Sequence, residues 1–308
     1  KSAYFPFHTW LPRAHSAAPA HVSALMSGVI HKAGIYGILR FTLLMGTPEA
    51  WMGWCILAFS MVSAFMGVLY TATQRDLKRL LGYSSTENVG IAGIGIGVGY
   101  LGLCWHQPSL VALGFSGAIL HVLNHALFKC LLFYAAGAVY RMTHVVDLER
   151  LGGLLKKMPQ TGGFFLIGAL AISALPPFNG FVSEFLIYAG LFNASVSEPW
   201  AKAAFVLAAA CLALIGAVSV LSMTRAFGVA FLGTARDSAV VCEGEAPRSM
   251  RVSMAIHAAG VLLLGAFPVL GLRWVSESVG RFFQSGGQSS QAVHARKELE
   301  ALTRPLSW

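Results

Sequence analysis

Three ionisable side chains recur at four-residue spacing inside one long apolar segment of the chain. His121, His125 and Lys129 lie within residues 110–140, and on an α-helix this spacing stacks them on one face, one turn apart. The segment is long enough to cross a bilayer, where ionisable groups are costly and usually face a protein interior or a water-filled path. Imidazole titrates near neutral pH and a desolvated lysine can release its proton. The spacing therefore indicates proton transfer at membrane depth.

Other ionisable residues in apolar segments extend this set. The candidate proton-transfer residues are Lys1, Lys32, His121, His125, Lys129 and Glu184, and the secondary ones are His21, His31 and Glu87. His21 and Lys32 are eleven residues apart, close to three α-helical turns, so they are expected to share a face. Glu87 follows a basic loop and could instead pair with Lys78 or Arg79. The alternative for the whole set is a structural role, in which satisfied polar residues fix the register between helices.

Metal and cofactor sites are not indicated. His121 and His125 have the spacing of two metal ligands, but the nearest third ligand, Cys130, lies on another helix face and Lys129 would repel a dication. The five cysteines are scattered without a CxxC pair, so neither a metal cluster nor a disulfide framework is expected. The glycine-rich stretch 90–102 lies inside an apolar segment and lacks a phosphate-binding context.

The composition indicates an integral membrane protein. Of 308 residues, 56% are hydrophobic and 11% are charged, whereas soluble domains carry about 25% charged residues. The net charge of +9 comes largely from lysines and arginines in short loops between apolar segments, which is typical of cytoplasmic loops. The lipid bilayer is therefore the expected partner, and nucleic acid is not.

Seven apolar segments predict an all-α polytopic membrane fold. They cover residues 19–41, 51–71, 82–105, 110–140, 162–192, 201–232 and 250–272. The fifth segment is predicted to be broken, because Pro176 and Pro177 remove two backbone donors and Asn179-Gly180 favours a turn. Glu184 follows this break. Residues 11–18, which contain Pro12, Arg13 and His15, are predicted to form a loop.

The basic loops predict an orientation and a domain division. Residues 73–81, 141–158 and 233–248 hold most of the lysine and arginine between segments, so these loops are predicted to be cytoplasmic. Residues 1–272 are predicted to be the membrane domain, and residues 273–308 a polar tail with one amphipathic helix near 295–302. The chain begins with Lys1 in mid-pattern, so further spans are expected upstream.

Five motifs carry a family resemblance: KSAYFPFHTWLPRAH at 1–15, PAHVSALM at 19–26, RDLKRLLGYSS at 75–85, HVLNHALFK at 121–129 and LPPFNGFVSE at 175–184. Together they resemble the antiporter-like subunits, the proton-conducting membrane subunits of respiratory complex I, Mrp-type sodium/proton antiporters and membrane-bound group 4 hydrogenases. The motifs NGFVSE at 179–184, AFGVAFLG at 226–233 and EAPRSM at 245–250 look like the hydrogenase-4 and formate hydrogenlyase branch.

The resemblance implies the C-terminal half of a fourteen-helix fold with two inverted five-helix repeats, each containing one broken helix. In the family pattern Lys1 matches the lysine of the first channel and Lys32 the connecting lysine. Lys129 matches the central lysine of the second channel. Glu184 matches the terminal residue of the second broken helix, where some relatives have lysine. The carboxylate partner of Lys1 is expected upstream.

The expected function is proton translocation by a subunit of a membrane-bound nickel–iron hydrogenase, without redox chemistry or a cofactor of its own. Its expected partners are other membrane subunits and the peripheral hydrogenase arm, in a bacterial or archaeal plasma membrane. A complex I or Mrp subunit is the first alternative, with sodium ions in place of protons left open. A non-conducting anchor is the second, and a small-molecule transporter, which would need a clustered polar cavity, is the third.

Overall fold

A computed structural model describes residues 1–45, 48–195 and 198–285, and these residues form helices joined by turns, with one isolated β-bridge between Asp76 and Asp147. A π-helical turn covers Met26–Ile30. The α-helices in the described part of the chain are α1 (Trp10–Ala17), α2 (Ala20–Leu25), α3 (Lys32–Leu44), α4 (Ala50–Thr73), α5 (Leu77–Cys104), α6 (Pro108–Thr143), α7 (Pro159–Ile172), α8 (Asn179–Asn193), α9 (Pro199–Phe231), α10 (Arg248–Ala266) and α11 (Pro268–Ser285).

The predicted all-α polytopic fold is confirmed. In the part of the chain that the structure describes, six helical segments are long and apolar enough to cross a membrane: Ala20–Leu44, Ala50–Thr73, Leu77–Cys104, Pro108–Thr143, Pro199–Phe231 and Arg248–Ala266. The predicted broken segment is present as the shorter apolar α7 followed by α8. The break covers residues 173–178 and contains Pro176 and Pro177.

Helices α5 and α6 form the centre of the molecule, and their glycines explain how. A Cβ atom on Gly90 of α5 would lie 2.5 Å from the backbone nitrogen of Ala64 in α4. A Cβ atom on Gly114 of α6 would collide with the backbone of Gly99 in α5. Small residues therefore let three backbones touch, as is common where apolar helices pack in membranes. The glycine-rich stretch 90–102 is a helix-packing surface.

Two glycines also allow close backbone contacts around the broken segment. A Cβ atom on Gly180, in the first turn of α8, would collide with the Ala171 carbonyl near the end of α7. On the other side, Gly265 of α10 lies against the Pro177 carbonyl with the same lack of room. The break is consequently enclosed by protein on both sides, which is the condition for irregular backbone at membrane depth.

Two predicted boundaries are wrong. The predicted loop at residues 11–18 is helix α1, because Pro12 lies in the first helical turn, where backbone N–H groups have no intrahelical partner anyway. The predicted segment 250–272 is interrupted at Phe267, since Pro268 cannot donate a helical hydrogen bond and begins α11.

Helix α11 crosses residue 272, the predicted end of the membrane domain, and buries Val275 and Val279. The division into residues 1–272 and 273–308 stays a prediction. The amphipathic helix predicted near 295–302 lies outside the described residues.

The predicted cytoplasmic loops gather at one end of the bundle. Arg150 Nε donates to Asp237 Oδ2 at 2.8 Å, joining loops 141–158 and 233–248. The start of α5 joins them through the bond from Leu77 N to Val146 O at 2.9 Å. At the other end, Ser195 N donates to Gln107 Oε1 at 3.1 Å. The two sets of loops are thus at opposite ends, while the side that each end faces stays a prediction.

Candidate proton-transfer site

His121, His125 and Lys129 lie along one side of α6, in the interior of the bundle. Each side chain is at most 2% exposed, and the two imidazole centroids are 6.5 Å apart. The four-residue spacing therefore gives the stack expected from the sequence. Each member, however, contacts a different neighbouring helix, so the stack is the junction of three polar contacts.

The contact of His125 is with Lys32, the first residue of α3. Lys32 Nζ lies 2.5 Å from His125 Nδ1 and also donates to the Ser27 carbonyl. The π-helical turn directly precedes Lys32: the His31 N–H donates to the Met26 carbonyl, five residues back, at 3.1 Å. π-helical turns are rare and occur frequently at functional sites. Here the turn sets the register of the helix immediately before the lysine.

The short contact between Lys32 and His125 restricts the protonation of the pair. An ammonium group has donors and no acceptor, so Nδ1 of His125 must accept when Lys32 is charged. Two positive charges at this separation in a buried site would repel each other strongly. The arrangement favours one excess proton shared by two nitrogen atoms, which is what a transfer step between them needs.

His121 contacts the broken segment. Its Nδ1 lies 3.0 Å from Ser183 Oγ in the first turn and a half of α8. Asn124, three residues after His121 on the same face, donates to the Asn179 carbonyl at 2.7 Å and to Ser183 Oγ at 3.2 Å. Asn179 returns a bond from Nδ2 to Asn124 Oδ1 at 3.2 Å. The polar side of α6 is thereby hydrogen-bonded to the residues that follow Pro177.

Lys129 contacts α5 and is fully buried. Its Nζ donates to the Leu81 carbonyl at 2.7 Å and to Ser84 Oγ at 2.5 Å, and it lies 5.9 Å from the centroid of the Phe133 ring. Two oxygen acceptors and an aromatic face replace part of the water that an ammonium group loses on burial.

Glu87 and Glu184 bring two buried carboxylates to the same region. Glu87 is 1% exposed, and the Ser219 hydroxyl of α9 is its hydrogen-bonding neighbour, although the contact falls outside good hydrogen-bond geometry. Its charge interacts with Lys129 and with Glu184 of α8. The alternative pairing of Glu87 with Lys78 is not formed, because Lys78 Nζ donates to the Ala18 carbonyl at 3.0 Å.

His15 is a buried residue that sequence analysis missed. Its ring stacks on Phe133 with centroids 4.6 Å apart and meets His31 edge-on at 5.8 Å. Both imidazoles are fully buried, and their nitrogens have no hydrogen-bond partner in the described part of the chain. His15 was missed because residues 11–18 were predicted to form a loop. Asn124 was also missed, although its three-residue offset from His121 was a usable signal.

The side chains of Lys1 and His21 do not take part in these buried contacts. Both are exposed. His21 lines a groove beside Tyr134, whereas Lys32 contacts His125, so the two residues predicted to share a face are not brought together. The π-helical turn between them changes the angular register that an uninterrupted α-helix would keep.

Comparison with known proteins places the chain in a family. A family model described as "NADH:quinone oxidoreductase/Mrp antiporter, TM" matches residues 1–216. The chain is 43% identical over 284 residues to hydrogenase-4 component B of Escherichia coli (strain K12), which covers 91% of this chain and 42% of that protein. It is 42% identical over 250 residues to formate hydrogenlyase subunit 3 of the same strain, covering 81% and 41%. The chain spans about two fifths of the length of these relatives.

Solved structures share the fold. An archaeal membrane-bound sulfane sulfur reductase contains a chain with a TM-score of 0.77 and 26% identity, covering 89% of this chain and 44% of that one. A chain of the Mrp complex from Dietzia sp. DQ12-45-1b has a TM-score of 0.77 at 20% identity, covering 98% and 59%. Respiratory complex I from Thermus thermophilus contains one with a TM-score of 0.72 at 25% identity, covering 91% and 56%. The antiporter-like fold predicted from the motifs is confirmed.

Proposed function

Because the chain belongs to the NADH:quinone oxidoreductase/Mrp antiporter family, we propose that it is a proton-translocating membrane subunit whose buried Lys, His and Glu residues carry the proton. The observation that supports this most is the junction on α6, where His125 meets Lys32 and Lys129 lies within the field of Glu87. A purely structural set of polar residues would be expected to satisfy its hydrogen bonds. Here His121 Nε2 and His125 Nε2 have no partner among the described residues, and the Glu87 carboxylate has only the Ser219 hydroxyl beside it.

The proposed path has two arms that meet near α8. In the first arm the proton moves between Lys32 and His125, then to His121, whose Nδ1 contacts Ser183 beside Glu184. In the second arm the charge of Lys129 interacts with that of Glu87, and the charge of Glu87 interacts with that of Glu184. Water molecules would bridge the longer steps, since buried polar groups without protein partners are normally bonded to water. His31 and His15 extend the same buried region beyond Lys129.

The free energy needed to move a proton against the membrane potential is similar in size to a pKa change in a buried side chain. Moving one charge against 100 mV costs about 2.3 kcal/mol, and a change of one pKa unit corresponds to about 1.4 kcal/mol. A change of about two units in the proton affinity of a buried lysine, caused by a neighbouring charge appearing or disappearing, is therefore enough to drive one proton across. The proposed mechanism requires no redox chemistry within the subunit.

The complex that we propose for this subunit is a membrane-bound nickel–iron hydrogenase of the hydrogenase-4 or formate hydrogenlyase type, in a bacterial or archaeal plasma membrane. The names of the two E. coli relatives support this choice. The likeness to complex I supports the main alternative, a subunit of a NADH:quinone oxidoreductase. Affinity purification separates them: a co-purifying nickel–iron subunit supports the hydrogenase, and a NADH-oxidising module contradicts it.

The decisive experiment on proton transfer replaces Lys129 with methionine. We would prepare inverted membrane vesicles that contain the protein in its complete complex and measure substrate-driven acidification by dye quenching. Lys202→Met is the matched control, because Lys202 is an exposed lysine in the first turn of α9. We expect Lys129→Met to abolish quenching with the complex intact and Lys202→Met to leave it unchanged. Normal quenching in an assembled Lys129→Met complex would make this subunit a non-conducting anchor.

A further inference from the structure

A groove of about 300 Å³ opens on the side of the bundle between α2, α6 and α10. Its lining is largely apolar and combines His21, Tyr134, Arg141, Ser249 and Ser253 with Ala20 and Met250. Arg141 lies in the last turn of α6, at the end where the basic loops gather, and α10 begins at Arg248 on the same side.

Small residues bring α2 and α6 together beside this groove. Gly137 of α6 faces Ala20 of α2 so closely that a Cβ atom on Gly137 would collide with the alanine side chain. The two helices are therefore in close contact there. Tyr134 and Arg141 lie three residues before and four residues after Gly137 on the same face of α6, so their larger side chains stand on either side of the contact.

The upper part of the groove offers hydrogen-bond donors without a neutralising acid. Arg141 is exposed and forms no ion pair: within residues 1–45, 48–195 and 198–285 the ion pairs are Arg75 with Glu149 and Arg150 with Asp237. A guanidinium group presents five donors in a fork that matches phosphate oxygens. The hydroxyls of Ser249 and Ser253 and the exposed imidazole of His21 add donors around it.

Below the groove, the surface along α6 and α10 is aromatic and apolar. Tyr134 meets His257 of α10 edge-on with centroids 5.3 Å apart, one helical turn below Ser253. Val252 and Ile256 lie close to the Ser249 face of α10 and are 58% and 65% exposed. A cationic upper part with an apolar strip below it has the polarity profile of a phospholipid at a membrane boundary.

We propose that this groove binds an anionic phospholipid from the surrounding leaflet. Arg141 holds the phosphate, Ser249 and His21 donate to its oxygens, and an acyl chain lies along Val252 and Ile256. The source is a lipid because the groove lies at the end of two membrane-crossing helices, where anionic headgroups attract basic residues. A bound lipid would hold α2, and through it the π-helical turn before Lys32, against α6 and α10.

The test measures lipid retention by the complete complex. The complex would be placed in nanodiscs of phosphatidylglycerol and phosphatidylethanolamine, extracted into detergent, and analysed by native mass spectrometry for bound lipid. We expect phosphatidylglycerol to be retained, and Arg141→Gln to weaken its retention about fivefold. Arg79→Gln is the matched control, since Arg79 is an exposed arginine at the same end, in the first turn of α5. Ser249→Val is a second, milder variant and should weaken retention in the same direction.

Three results would overturn the proposal. The first is equal retention of phosphatidylglycerol by Arg141→Gln and Arg79→Gln, with Ser249→Val also unchanged. The second is retention of phosphatidylethanolamine equal to that of phosphatidylglycerol, or displacement of the lipid by millimolar inorganic phosphate. Displacement by phosphate would make the site one for a free anion. The third is a photo-crosslinker at Ser249 that reacts with another subunit instead of lipid, because the groove would then be a protein interface.

Discussion

Lys32 Nζ lies 2.5 Å from His125 Nδ1, although 93 residues separate the two in sequence. This contact joins the start of α3 to the middle of α6 and puts a lysine in contact with a histidine stack that belongs to another segment. Lys129, one turn further along α6, instead turns to α5. Lys32 thus reaches α6 from α3, whereas Lys129 reaches from α6 to α5, so the two contacts link three helices as our proposed path needs.

The Lys32–His125 contact predicts a non-additive pair of substitutions. We expect Lys32→Met and His125→Gln each to lower proton translocation by tenfold or more, because each removes one of two sites for the shared proton. The double variant should be no worse than the more severe single variant, since residues that act as a unit do not contribute independently. Dye quenching in inverted vesicles would measure this, with subunit content checked by immunoblot. Losses that multiply in the double variant would contradict a shared transfer step.

Glu87 is predicted to matter for transport and not for assembly. Glu87→Gln removes the charge that attracts Lys129 but keeps an amide oxygen that can still accept from the Ser219 hydroxyl. We expect proton translocation to fall about tenfold while the complex assembles normally. Glu49→Gln is the control, because Glu49 is an exposed carboxylate just before α4. Unchanged translocation in Glu87→Gln would remove the second arm of the path.

Gly67 is predicted to be essential for the contact between α4 and α5. A Cβ atom at this position would lie 2.5 Å from the backbone nitrogen of Glu87, so Gly67→Ala must push the two helices apart. We expect the variant to be destabilised by about 1–3 kcal/mol, measured as a lower thermal midpoint in detergent.

The control for Gly67 is Gly216→Ala in α9, where a Cβ atom would meet nothing within 4 Å. That substitution should be neutral or should stabilise the protein by about 0.5–1 kcal/mol, because alanine loses less backbone entropy than glycine in a helix. Equal thermal midpoints for Gly67→Ala and the wild type would contradict the close approach of α4 and α5.

Glu245 is predicted to cap α7 from a neighbouring loop. Its carboxylate accepts hydrogen bonds from Gln160 N at 2.8 Å and from Thr161 Oγ1 at 2.6 Å, in the first turn of α7. A carboxylate there satisfies unpaired N–H groups and faces the positive end of the helix dipole. We expect Glu245→Gln to lower the free energy of unfolding by about 1 kcal/mol at neutral pH.

The same cap predicts a pH dependence. Partial burial raises the pKa of Glu245, but the hydrogen bonds from Thr161, Ala246 and Gln160 lower it more, so the pKa lies below its ordinary value of 4.5. A carboxyl group with a lowered folded-state pKa stabilises the fold above its unfolded pKa and loses that contribution as the pH falls through the folded value. The stability difference between wild type and Glu245→Gln should therefore shrink below pH 4.5. A difference that stays constant from pH 7 to pH 3 would show that the charge of Glu245 is not involved.

The sequence by itself determined the helices and the residues worth testing. Apolar segments long enough to cross a bilayer must be helical, since lipid offers no partner for backbone polar groups. The four-residue spacing of His121, His125 and Lys129 placed them on one face, and Pro176 with Pro177 placed the break. These are local properties of the chain, set by helix geometry and missing donors.

Only the tertiary structure decided which residues meet. The sequence predicted His21 beside Lys32, but the π-helical turn, which hydropathy does not reveal, put them in separate environments. The sequence likewise gave no sign that Lys32 contacts His125, that Lys129 contacts Ser84, or that His15 packs on Phe133. Such contacts depend on how closely the backbones approach and at what rotation. Those quantities arise from many small packing contacts between distant segments, such as Gly114 against Gly99, and no local pattern contains them.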